Sequence, residues 1–131
     1  MGKRKKEAAA IRKELKNSTA IAKLNKCPTS PRKMRLVADI IRGENVYKAL
    51  NILKFNPKEA SIRLEKLLLS AINNWEQKNE GEDSTTANLI VKDVFVDSAR
   101  MYKRIQPAPQ GRAHRIRKRS NHVTVVIDKT K

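Results

Sequence analysis

Cysteine is all but absent: Cys27 is the only one in the chain, so no internal disulfide can form. The two histidines, His114 and His122, have no cysteines or clustered carboxylates beside them in the sequence, and no metal site is expected. Glycine is scarce too, with four residues, none arranged as a phosphate-cradling loop. No Ser/His/Asp arrangement or pair of carboxylates in an apolar setting is visible, so an enzyme is not expected and no cofactor is implied. Long apolar runs are missing, since none approaches the ~20 residues of a membrane-spanning helix. The opening MGKRKKEAAAIRKEL lacks the apolar core of a secretory signal, and Lys6 stands where a myristoylation pattern needs Ser or Thr. The expectation is a soluble cytoplasmic chain.

Acid is the other shortage. Thirteen Asp and Glu face 30 Lys and Arg, a net charge of +17 with a pI near 10.4. So much positive charge in 131 residues points to a polyanionic partner, with nucleic acid ahead of an anionic membrane surface. The charge is also segregated. Residues 1–35 carry +10, residues 36–97 carry −2 and residues 98–131 carry +9. A solvated basic face would scatter its charge, so this pattern predicts a conventional folded body bearing two basic appendages. With 39% hydrophobic residues the chain has material for one modest core. The expected division is a basic extension over 1–19 and a single domain over 20–131, with an arm over about 98–120.

The body reads as three helices. In SPRKMRLVADIIRG, Ser30 suits an N-cap, Pro31 the first helical position and Gly43 the C-terminal stop, while Met34, Val37, Ala38 and Ile41 form one apolar stripe. Arg32, Arg35 and Arg42 fall on the opposite face. NVYKALNILK repeats the spacing with Val46, Ala49, Leu50 and Leu53. The third helix opens at a capping-box-like Asn56, Pro57 and Glu59, and buries Ala60, Leu64, Leu67, Leu68, Ala71 and Trp75. The acidic NEGEDSTTAN loop then marks the change to strands. EAAAIRKEL near the N-terminus has the composition of a short helix.

LIVKDVFVD and NHVTVVID are rich in β-branched residues and should pair antiparallel beside the helices. Between them, Pro107, Pro109 and Gly111 mark a turn, so the strands are expected to continue past the body for about ten residues each way, or ~33 Å. In the returning strand Arg115, Arg117 and Arg119 alternate onto one face, and Ile116, Lys118 and Ser120 onto the other. Neither face is apolar enough to bury in protein. An isolated hairpin is marginal in water and like charges weaken it further, so the partner must supply the missing order. A phosphate backbone does so through charge-assisted contacts to arginine.

SPRKMRLVADIIRG, KALNIL, LLLSAINN and MYKRIQPAPQGRAHRIRKRSNHVTVVI also resemble the bacterial large-subunit ribosomal protein twenty-two family, over about Ala20 to Ile127. The resemblance implies an α+β fold in the order β-α-α-α-β-β, three helices on a small antiparallel sheet with a long protruding β-hairpin. It implies a structural constituent of the large subunit that binds several rRNA domains early in assembly, with Gln106, Pro107, Ala108, Pro109, Gln110, Gly111 and Arg112 forming a tip that lines the nascent-peptide tunnel. Implied partners are rRNA, ribosomal protein four of the same subunit at the tunnel narrowing, and the nascent peptide in passing, with no membrane and no homo-oligomer. Ala108 and Gln110 stand where relatives often carry a basic residue, so this tip is less cationic. The residues expected to contact rRNA are Arg32, Lys33, Arg35 and Arg42 in the body, and Arg100, Lys103, Arg104, Arg112, His114, Arg115, Arg117, Lys118 and Arg119 in the arm. Two other readings compete. The first two body helices could imitate a helix-turn-helix DNA reader, although the second offers only Lys48 and Lys54 as basic residues. An RNA-processing enzyme would need an acid or base that the basic segments do not supply.

Overall fold

The structure, a computed structural model, describes residues 2–130, with the side chains of 15–18 outside the description; Met1 and Lys131, at the ends of the two expected regions, lie beyond it. The order is α1 (Lys3–Ser18), β1 (Ala20–Cys27), α2 (Pro31–Ile41), α3 (Val46–Phe55), α4 (Glu59–Lys78), β2 (Leu89–Ser98), β3 (Tyr102–Pro107), a 3-10 turn (Pro109–Gly111), β4 (Ala113–Lys118) and β5 (Asn121–Lys129). The α+β class with a hairpin is as expected, but there are four helices rather than three. The additional one is α1, whose residues 3–14 are exposed.

In the body, β5 lies between β1 and β2, antiparallel to both. Its alternation sends Asn121, Val123, Val125 and Ile127 to the inner face, where the helices cover them. In β2 the inward set runs Leu89, Val91, Val94, Val96, which skips a step in a two-residue period. A register shift between Val91 and Asp93 absorbs the extra residue and keeps both halves of the strand facing the core. The α2 stripe of Met34, Val37, Ala38 and Ile41 is wholly buried, as are Val46, Ala49 and Leu53 of α3, while Leu50 is partly buried. All six residues of the expected α4 stripe are buried, joined by Ser61 and Ile72.

The caps differ from expectation. Ser30 occupies the N-cap of α2 but makes no side-chain cap bond; its carbonyl accepts the Met34 N–H at 3.1 Å. The N-cap of α4 is Lys58, and Asn56 instead accepts the Lys58 N–H at 3.1 Å, a local turn that aims the chain into the helix. After α2, Gly43 takes φ +80° and donates its N–H to Val91 O at 2.8 Å, while Val91 returns its own N–H to Glu44 O at 2.9 Å. That left-handed turn pins the end of α2 to the start of β2.

The strands do not run unbroken into the arm. The body ladder ends at the Ser98–Asn121 pair, and a separate two-stranded ladder begins at Tyr102–Lys118. At the break, Ser120 is buried rather than presented on a strand face; its carbonyl accepts the Ala99 N–H at 2.9 Å and its hydroxyl donates to Arg100 O at 2.5 Å. Sequence periodicity cannot show this joint, because both sides of it are extended.

Candidate nucleic-acid interface

The arm is built by register. The pairs Tyr102–Lys118, Lys103–Arg117, Arg104–Ile116, Ile105–Arg115, Gln106–His114 and Pro107–Ala113 place directly opposed residues on a common face. One face therefore carries Lys103, Arg115 and Arg117 with Ile105; the other carries Arg104, Lys118 and His114 with Tyr102, Gln106 and Ile116. Lys103 opposite Arg117 sets like charges together, an arrangement that costs stability in the free hairpin. Every residue from Tyr102 to Arg119 is exposed except Ala108 and Ile116, which are half-buried. Arg119 lies beyond the end of β4, so it does not share the ladder face expected for it with Arg115 and Arg117.

At the tip, Ala108 donates its N–H to Arg112 O at 2.8 Å, closing the loop. Gln110 at φ 64° and Gly111 at φ +70° turn the chain through the left-handed region. A methyl group on Gly111 would meet nothing within 4 Å, so glycine is needed there for its backbone rather than for space. The expected tip residues Gln106 to Arg112 thus sit together at the far end of the hairpin.

The body cations behave differently. Arg35 directs Nε and Nη2 to Val96 O at 3.2 and 2.9 Å, and Arg42 gives Nη2 to Val94 O at 2.9 Å and Nη1 to Asp39 at 2.7 Å. Both guanidiniums cap carbonyls of β2, the strand that would otherwise present a bare sheet edge. Helical spacing correctly sets them apart from the apolar stripe, yet it cannot reveal a strand arriving beside them from fifty residues away. Arg32 and Lys33 are exposed on the first turn of the same helix. Arg63 pairs with Glu59 at 2.7 Å, and that hydrogen bond raises its pKa above the ordinary guanidinium value; Lys92 is likewise raised by its bond to Asp128 at 2.7 Å. Lys48 pairs with Glu44 at 2.8 Å, and Lys129 pairs with Glu82. Among the described residues all ion pairs lie in the body, and none involves an arm cation.

Cys27 is buried, with Sγ 3.3 Å from the Thr29 hydroxyl. Asn121 donates through Nδ2 to Thr29 O at 2.7 Å and to Thr29 Oγ1 at 2.8 Å, tying the end of β1 to the returning limb of the arm. Among the described residues no group of three or more His, Cys, Asp or Glu is placed to hold a metal ion, and no helix is long and apolar enough to cross a membrane. The helix-turn-helix reading meets an obstacle in α3, whose apolar stripe is committed to the core and whose Lys48 is paired. Two sets of cations escaped the sequence reading of the site. Lys26 reaches the root of the arm only because β1 is bulged there, and Lys3, Arg4, Lys5, Lys6, Arg12 and Lys13 line α1. Composition alone marked the second set.

Residues 22–128 match the family model described as ribosomal protein L22p/L17e. The chain belongs to that family. Among its relatives is the large ribosomal subunit protein uL22 of Flavobacterium johnsoniae, 67% identical over 127 residues, covering 97% of this chain and 93% of that one. The uL22 proteins of Parabacteroides distasonis and Porphyromonas gingivalis are 59% and 57% identical, each over 98% of this chain and over 93% and 95% of their own lengths. An L22p/L17e chain is a structural, non-enzymatic ribosomal protein, and the cations assembled above are to be understood in that setting. The family match begins within β1, whereas the relatives match nearly the whole chain, α1 included.

Proposed function

We propose that the protein is an architectural component of the large subunit of the cytoplasmic ribosome, binding and organising large-subunit rRNA during assembly. The observation that supports this most is the arm itself: two cationic faces on an exposed ladder, with no acid in the segment and, among the described residues, no ion pair to any of its cations. Lys103, Arg104, Arg115, Arg117 and Lys118 on the ladder, Arg112 and His114 near the tip, Arg100 and Arg119 at the root, and Arg32 and Lys33 on α2 let RNA helices approach by neutralising phosphate. Arg35 and Arg42 brace β2 and keep donors for the same task. Affinity comes largely from counterion release and so depends on salt.

The tip from Gln106 to Arg112 lines the nascent-peptide tunnel, close to ribosomal protein four, and passing chains meet Ala108 and Gln110 rather than a dense patch of charge. Sedimentation of tagged protein from a cell lysate tests the assignment. It should travel with the large subunit and stay there through a moderate salt wash; release into the soluble fraction would overturn the reading. Competition between rRNA fragments and random duplex DNA checks the DNA-binding alternative, which stronger binding to duplex would favour.

A further inference from the structure

We propose that the root of the arm is a pocket for one unpaired nucleotide, whose base stacks on Tyr102 while Lys26, Arg100, Lys118 and Arg119 hold the adjoining phosphates. The inference rests on the rRNA-binding reading above and names a site within it. A cavity of about 190 Å³ lies where the hairpin leaves the body, bordered by those four cations, the Pro28 and Tyr102 rings and Ser120, with no carboxylate on its lining. Tyr102 is the one Phe, Tyr or Trp in the arm and stands 62% exposed. Its register partner Lys118 shares its face, and the Arg104 guanidinium sits 5.5 Å from its ring centroid, so the ring is held in place on a cationic surface.

Lys26 supplies an independent observation. It adopts φ 54°, a conformation unfavourable for a residue with a β-carbon, at the shift in register between Leu24 and Cys27. Its N–H donates to His122 Nδ1 at 3.0 Å, which holds the distorted backbone in place. The bulge keeps Cys27 on the inner face after Ala20, Ala22 and Leu24, and in doing so it takes Lys26 out of the strand's alternation and presents it on the pocket rim. The wall is fixed from three directions, by the Ser120–Arg100 and Ala99–Ser120 bonds and by the Asn121–Thr29 bonds behind them.

A ring flanked by cations is the chemistry that recognises single-stranded RNA, where splayed bases stack on aromatic side chains and Lys and Arg take the backbone. A bare anion would leave the ring without a role, and an intact duplex would keep its bases away from it. Binding of the full-length protein to deproteinised large-subunit rRNA, measured across a salt series, tests this. Tyr102→Leu should weaken binding roughly 5- to 150-fold, the range for one base–aromatic stack, with the salt slope unchanged, and Tyr102→Phe should keep near wild-type affinity. Lys26→Gln should lower the slope by about 1. Ultraviolet irradiation of purified large subunits should crosslink Tyr102 to a nucleotide. The pocket is overturned if Tyr102→Leu binds like wild type, if it changes the slope instead, or if Tyr102 crosslinks to a protein while other arm residues crosslink to RNA. Wild-type protein that binds the rRNA with no salt dependence would sink the rRNA reading itself, a separate result.

Discussion

At the scale of single residues, the cations of this protein do two kinds of work, and hydrogen bonding rather than burial tells them apart, since Arg35 and Arg42 are exposed like the arm cations yet donate to carbonyls of β2. Arg35 holds a strand edge through two bonds to one carbonyl. Arg35→Ala should therefore destabilise the free protein by about 1.5–3 kcal/mol, the range for hydrogen bonds to a charged group, in urea-induced unfolding. Arg117 is exposed and makes no ion pair among the described residues, so Arg117→Ala should stay within ~0.5 kcal/mol of wild type in the same measurement while weakening RNA binding. Asn121 is fully buried at the root of the arm, and its loss would take the amide from the Thr29 carbonyl and leave the Thr29 hydroxyl with only its contact to Cys27 Sγ. Asn121→Ala is expected to cost about 1–3 kcal/mol, and an unchanged midpoint would show that water replaces the amide there. Gly43→Ala meets no steric obstacle but must adopt a left-handed backbone, and should cost about 1–2 kcal/mol.

At the scale of elements, residues 3–14 of α1 and nearly all of the arm are alike in standing exposed. A 16-residue helix is close to the lower limit for independent stability, and α1 begins with Lys3, Arg4, Lys5 and Lys6 at the end of the helix dipole that disfavours positive charge. Its amides should exchange hydrogen rapidly in the free protein and become protected on rRNA. Ribosomes carrying a chain truncated before Ala20 should lose the protein at lower salt; equal retention would mean that α1 anchors nothing. The arm permits a sharper separation. Deleting Tyr102 to Arg104 removes three residues of β3, which shifts register, reverses the faces and moves the tip by up to roughly 10 Å. The body should unfold within ~2 kcal/mol of wild type, since these residues are exposed, while nascent-chain stalling on variant ribosomes changes. Wild-type responses with the tip visibly displaced would remove the tunnel role.

At the scale of the whole molecule, all three stretches of the chain contribute to the core, Ala20, Ala22, Cys27 and Met34 from the first and Val123, Val125 and Ile127 from the last, while the exposed cations of α1 and of the arm lie outside it. Stability and binding are thereby assigned to different residues, so salt should affect them differently. If roughly 8 phosphates are engaged, log K should fall against log salt with a slope of about −6 to −7. The unfolding midpoint of the free protein should change little over the same series, because its ion pairs are exposed and individually weak. A slope shallower than about −3 would mean that most of the arm cations are solvated bystanders.

The amino-acid sequence by itself determined which residues fill the core, where the helices stop and where the chain turns back, because these follow from local spacing: the stripe of Met34, Val37, Ala38 and Ile41, or the prolines around Gly111. It also determined the family, through the motifs of the arm. Tertiary structure alone decided what the strands meet. The bulges at Lys26 and near Lys92, the joint at Ser120, the capture of Arg35 and Arg42 by β2 and the closing of four cations around Tyr102 each depend on segments far apart in the chain. A periodic pattern shows which face of an element turns inward. It carries no information about which neighbour comes to rest at the exposed edge, since that is settled by the pairing of distant strands and the hydrogen bonds their edges leave open.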